Sequence, residues 1–96
     1  MFARTVHPGT ILGDELRDLG IMQAAFARQI AVPATRVRRI IAGKRAITGD
    51  TALRLGHWFG MDPQFWLNLQ TAYDLRVAQE TAGAAIARLP VRADAA

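Results

Sequence analysis

The sequence predicts an all-α domain of five short helices, and three observations carry that prediction. Apolar residues recur every three or four positions, and no segment alternates like a strand. Glycine and proline punctuate the chain at "HPG" (7–9), Gly20, "AVP" (31–33), "AGK" (42–44), "TGD" (48–50), "GMDP" (60–63) and Pro90. The 96 residues, 51% of them hydrophobic and none a cysteine, suffice for one core without disulfide staples or thiolate metal sites.

The first helix is expected over about residues 9–19, with Ile11, Leu12, Leu16 and Leu19 facing inward. Pro8 suits its first turn and Gly20 its stop. The second, about 22–30, repeats Met22, Phe26 and Ile30 at i, i+4 and i+8. The third, about 33–42, opens with Pro33 in its first turn and ends at Gly43. The fourth, about 49–59, has Thr48 or Asp50 as cap and carries Ala52, Leu53, Leu55 and Trp58 or Phe59. In the fifth, Asp62 is the expected N-cap and Pro63 the first helical residue, and the helix runs to about Glu80. Residues 1–80 then form the folded domain. Residues 81–96 have little to pack and read as a flexible tail stopped by Pro90.

The second and third helices are joined only by "AVP". Two helices forced into so short a turn cross at a large angle and leave the second one protruding, as in a helix-turn-helix. Ala24, Ala25 and Ala27 supply the small residues that let the pair approach.

Charge falls unevenly on this frame. Net charge is +4, yet no acid lies between Asp18 and Asp50, a window holding Arg28, Arg36, Arg38, Arg39, Lys44 and Arg45. An excess gathered in this way makes one electropositive face, the footprint of a polyanion partner. At about 100° per residue, Val37, Ile40 and Ile41 share one side of the third helix. Thr35 and Arg39 lie opposite, with Arg38 beside them and Arg36 on the other flank. A merely solvated face would interleave Glu with Arg for intrahelical pairs, and this one has no acid. Such a helix fits the major groove, where Arg reads guanine through two hydrogen bonds and a Thr methyl meets thymine.

The stretch "MQAAFARQIAVPATRVRRIIAGKRAITGDTALRLGHWFGMDPQFWLNLQTAYDLRVAQE", preceded by "HPGTIL", resembles the HigA-type antitoxins within the phage-repressor-like (Xre) regulators. The resemblance covers residues 7 to about 80. It implies a lambda-repressor-like five-helix fold, a homodimer, and double-stranded operator DNA carrying an inverted repeat in the protein's own promoter. It also implies a cognate toxin protein, usually an mRNA-cleaving ribonuclease of RelE-like fold. By that similarity Gln23 holds a phosphate, Thr35, Arg38 and Arg39 read bases, and Lys44, Arg45 and Thr48 sit in a loop that grips the DNA backbone. With Ala34 and Arg36 on the same helix, these complete the candidate DNA-binding set. The chain departs from the family pattern where Ala31 replaces a turn glycine, which demands a strained or different turn. Ala34 replaces a polar reader, Ala42 an asparagine, and Thr10 a glutamate.

The fifth helix carries more apolar residues than one buried face needs, with Phe65, Trp66, Leu69, Tyr73 and Val77 on one stripe and Leu67 and Leu75 elsewhere. That surplus points to a second copy, since a two-fold operator calls for a two-fold protein. Phe65, Trp66, Leu69, Tyr73 and Val77 are the expected dimer contacts.

Enzymatic signals are weak. Serine is absent, and His7 and His57 stand 50 residues apart without a metal-ligand pattern, so neither a metal nor a cofactor is expected. Asp14, Glu15 and Asp18 read as a solvated face. No apolar run approaches the roughly 20 residues of a membrane span, and "MFARTVHPGT" lacks a signal core. The sequence therefore points to a cytoplasmic, nucleoid-associated repressor and antitoxin. The alternative is a phage- or plasmid-type Xre repressor without a toxin.

Overall fold

The computed structural model describes residues 6–93. Five helices follow in order: α1 (Pro8–Leu19), α2 (Gln23–Gln29), α3 (Ala34–Ile41), α4 (Gly49–Phe59) and α5 (Gln64–Ala87).

Helix α1 begins at an N-cap built by His7, whose Nδ1 accepts the Gly9 N–H at 2.9 Å, and ends at Gly20 in the left-handed region (φ 70°). It buries Pro8, Gly9, Leu12 and Leu16. Gly9 lies directly under the Ile40 carbonyl, where any Cβ would collide with backbone, so this residue sets how closely α1 approaches α3. Leu19, expected inward, is more than half exposed because the helix has already left the core.

Helix α2 is shorter than its pattern suggested and buries Phe26 and Ala27. It closes with the Val32 N–H on the Ala27 carbonyl (3.0 Å) and the Ala31 N–H on the Arg28 carbonyl (3.2 Å). Those two bonds form a Schellman closure, whose pivotal residue is usually glycine. Here it is Ala31, at φ 58°, the one non-glycine residue with positive φ among those described. The strained alternative for this turn is therefore the one adopted. Pro33 flanks α3 as its N-cap (ψ 143°) instead of opening it.

Helix α3 buries Val37 and Ile40, with Ile41 half-buried beside them. Helix α4 is capped by Thr48, whose side chain accepts the Thr51 N–H, and buries Thr51, Ala52, Leu55 and Gly56 while Leu53 stays exposed. In the first turn of α5, Pro63 has helical dihedrals and the Asp62 carboxylate accepts the Gln64 N–H at 2.9 Å.

The core joins Leu12 and Leu16 of α1 to Phe26, Val37, Ile40, Ile47, Leu55 and Trp66. Phe26 meets Trp58 edge-on at 5.0 Å, Trp58 meets Phe59 at 4.8 Å, and Phe59 leans on Trp66 at 5.8 Å.

Two expectations about α5 are corrected. The helix does not end near Glu80 but continues to Ala87, so residues 81–87 are helical; residues 94–96 lie outside the described residues. "TAGAAIA" is rich in alanine, the best helix former, and Thr81 bonds back to the Val77 carbonyl at 2.9 Å. Trp66, expected at a dimer contact, is fully buried in its own domain. The face that carries Trp66, Leu69 and Gln70 packs inward, and Leu69 is half-buried against the core. The projecting helix stretches the chain to 53 Å in its longest dimension. Its radius of gyration is 16.6 Å, against about 12–13 Å for a compact domain of this length.

Candidate nucleic-acid interface

The crossing of α2 and α3 turns the acid-free side of α3 outward. Thr35, Arg38 and Arg39 are exposed, and no hydrogen bond or ion pair among the described residues reaches the guanidinium of Arg38 or Arg39. Arg38 leans toward the groove between α1 and α2, which it lines together with Gly13, Arg17, Met22 and Gln23. The fold thus brings Gln23, at the start of α2, to the same groove as Arg38. Lys44 and Arg45 extend this surface from the loop after Gly43, both exposed.

The remaining candidates are placed differently. Ala34 is half-buried against the core. The Thr48 side chain is occupied as the α4 cap and lies 3.5 Å from the Thr51 hydroxyl. Arg36 turns away from the open face, and its Nη1 donates to Asp50 Oδ2 at 3.0 Å, leaving its side chain 24% exposed. It sits on the flank nearest α4, so the same position that spares it from the core brings it to the α4 carboxylate.

Asp50 belongs to a wider network. Its Oδ2 also accepts Arg54 Nε at 2.9 Å, and Arg54 Nη1 donates to the Ile30 carbonyl at 2.9 Å and the Ala31 carbonyl at 3.4 Å. One guanidinium therefore holds the carbonyls of the strained turn while its carboxylate partner holds α3. The Arg54 hydrogen bond first, and then Arg36, keep the exposed Asp50 carboxyl below its usual 3.8. The Asp50–Arg54 pair was visible as an i, i+4 spacing. Arg36–Asp50 and the turn contacts span 14 to 24 residues and have no local signal.

The 44–48 loop is tied from beneath. The Ile47 N–H donates to Gln70 Oε1 on α5 at 2.8 Å, and Gln70 Nε2 donates to Asp74 Oδ1 at 2.9 Å. His7 packs edge-on against Tyr73 at 4.9 Å. Burial lowers its pKa below 6.5, opposed by the nearby Asp74 charge and the Arg45 backbone. Among the described residues no cluster of His, Cys, Asp or Glu could hold a metal ion, and no helix is long and apolar enough to cross a membrane.

A protruding second helix with unpaired arginines, beside a cationic loop, defines a DNA-binding helix-turn-helix protein of the repressor type. No protein-family model matches the chain. It is 43% identical over 91 residues to virulence-associated protein I of Dichelobacter nodosus, covering 94% of this chain and 84% of that one. A HigA-family addiction module antidote protein from Coxiella burnetii superposes with a TM-score of 0.90 at 44% identity, covering 94% of this chain and 99% of that one. The Pseudomonas aeruginosa antitoxin HigA, solved with the higBA promoter, gives 0.88 at 40% identity, covering 96% and 100%. The chain belongs to the HigA antitoxin family.

Proposed function

We propose that this antitoxin is a cytoplasmic homodimer that represses its own operon and neutralises a RelE-like mRNA-cleaving toxin, itself having no enzymatic activity. The observation that carries the DNA-binding part is the exposed side of α3, where Thr35, Arg38 and Arg39 face outward without acid partners. Thr35, Arg38 and Arg39 read bases in the major groove, and Gln23, Lys44 and Arg45 hold phosphates. Arg36 serves the interface indirectly, by fixing α3 to α4 through Asp50. The relative solved with its promoter supports this reading.

Dimerisation is assigned to α5, on a face other than the one its sequence favoured. Leu75 and Ile86 lie opposite the buried Trp66 face and are 60% and 57% exposed, an apolar ridge on the projecting half of the helix. Phe65 (40% exposed) lies to one side of it, whereas the half-buried Tyr73 and Val77 fall on the Trp66 side of the helix. Leu75→Glu with Ile86→Glu should give a folded monomer by sedimentation; an unaltered dimer would remove this ridge from the interface.

Co-expression with the product of the adjacent gene, followed by a gel shift on the shared promoter, tests the whole reading. A co-purifying ribonuclease and a retarded promoter fragment are the expected results. Retardation without a toxin partner would leave the plain Xre repressor.

A further inference from the structure

We infer that Gln70, on α5, is a positioning residue for the DNA-gripping loop at 44–48, so that the grip depends on a helix that touches no DNA. The inference rests on the reading of Lys44 and Arg45 as phosphate contacts.

Gln70 is the only strongly polar side chain that α5 buries, at 6% exposure, in a helix whose other buried residue is Trp66. An amide inside a core is retained only if its groups are matched. Here both ends are: the carbonyl takes the Ile47 N–H and the amide nitrogen gives to Asp74. Ile47 is itself buried at 3% exposure, so without Gln70 its backbone N–H would sit in the core with no acceptor. The loop has no repeating backbone ladder to fix it between the end of α3 and the Thr48 cap. Its height over the core is set by the tether from Gln70 to Ile47. It starts from the turn of α5 where His7 packs edge-on against Tyr73 and Gln70 pairs with Asp74. Lys44 and Arg45 lie three and two residues from Ile47, close enough that a displaced anchor moves their charges off the phosphates.

The test compares intact proteins by DNA affinity against salt. Gln70→Met keeps the length of the side chain and removes the acceptor. It should weaken binding to operator and random DNA alike, by roughly tenfold, and reduce the salt slope by roughly one phosphate contact. Combining Gln70→Glu with Asp74→Asn exchanges amide and carboxylate within the pair and leaves Ile47 an acceptor, so it should restore the slope. Leu55→Ala, a core change on α4 outside the loop, should lower the melting temperature and leave the slope alone. Asp74→Ala frees the Gln70 amide from the exposed side; it should give a smaller slope loss and faster amide exchange at Ile47, and it serves if Gln70→Met does not fold. Variants that melt early with the parental slope would make Gln70 an ordinary core residue and overturn the inference. A parental slope in both Lys44→Ala and Arg45→Ala would instead remove the loop from the interface, and the inference would fall with that reading.

Discussion

Helices α3 and α5 divide their work along different axes. Helix α3 is eight residues long and divides around its circumference, with Val37 and Ile40 buried and Thr35 and Arg39 outside. Helix α5 is three times as long and divides along its length. Its first half buries Trp66 and Gln70, and its second half leaves the domain. A short helix wedged between neighbours has one inside and one outside. A helix longer than its domain has several surroundings in turn, so no single stripe describes it.

The largest expected effects test the lengthwise division of α5. Trp66→Ala should cost about 3–5 kcal/mol in denaturant unfolding, whereas Ile86→Ala should stay within about 0.5 kcal/mol under conditions where the protein is monomeric. Similar losses from both would mean that the projecting half is packed after all. Around α3 the contrast should be one of kind. Ile40→Ala should lose about 2–5 kcal/mol of stability. Arg39→Ala should melt with the parent yet lose about 1–3 kcal/mol of discrimination at one operator base pair. Selections on randomised operators would show this directly, and an unchanged consensus would make the arginine face solvated charge.

A smaller effect is expected where α3 begins. Ala31→Gly relieves the left-handed residue and should raise stability by about 1 kcal/mol, read as a higher urea midpoint at constant slope. The smallest concerns pH. The neutral His7 ring accepts the Gly9 N–H, and burial holds its pKa below 6.5. The unfolded chain therefore takes up this proton first on acidification. The contribution is whole above about pH 6.5 and is lost as pH falls below that toward the lowered folded value. Replacing His7 with Asn, a cap that does not titrate, should make the melting temperature fall less between about pH 7 and pH 5.5.

The contrast between α3 and α5 also explains what could be read from the sequence. The circumferential pattern of α3 repeats within eight residues, so its arginine face and its isoleucine face were both visible. The five-helix order followed from local chemistry as well, whereas the family resemblance marked Ala31 as a strained or different turn and the fold shows it to be the strained one. Trp66 was misplaced because an apolar stripe says only that something covers it, and here the cover is Phe59, Phe65 and the rest of the same domain. The end of α5 is not legible in apolar spacing, because "TAGAAIA" stays helical on alanine propensity instead. The ties at Arg36–Asp50, Arg54–Ile30 and Gln70–Ile47 join residues 14 to 24 positions apart, and only the fold brings them together.

Arg54 and Ala31 have a consequence for how this protein can change over generations. With alanine at the positive-φ position, the turn leans on the guanidinium that holds its carbonyls. With glycine there, the same backbone would need no such support. Loss of Arg54 is therefore harsh in the present chain and mild after Ala31→Gly, which makes the two positions epistatic although they lie 23 residues apart. The order of substitutions decides which histories are open: glycine first and arginine second passes through a stable repressor, and the reverse order passes through one whose recognition helix has lost its seat.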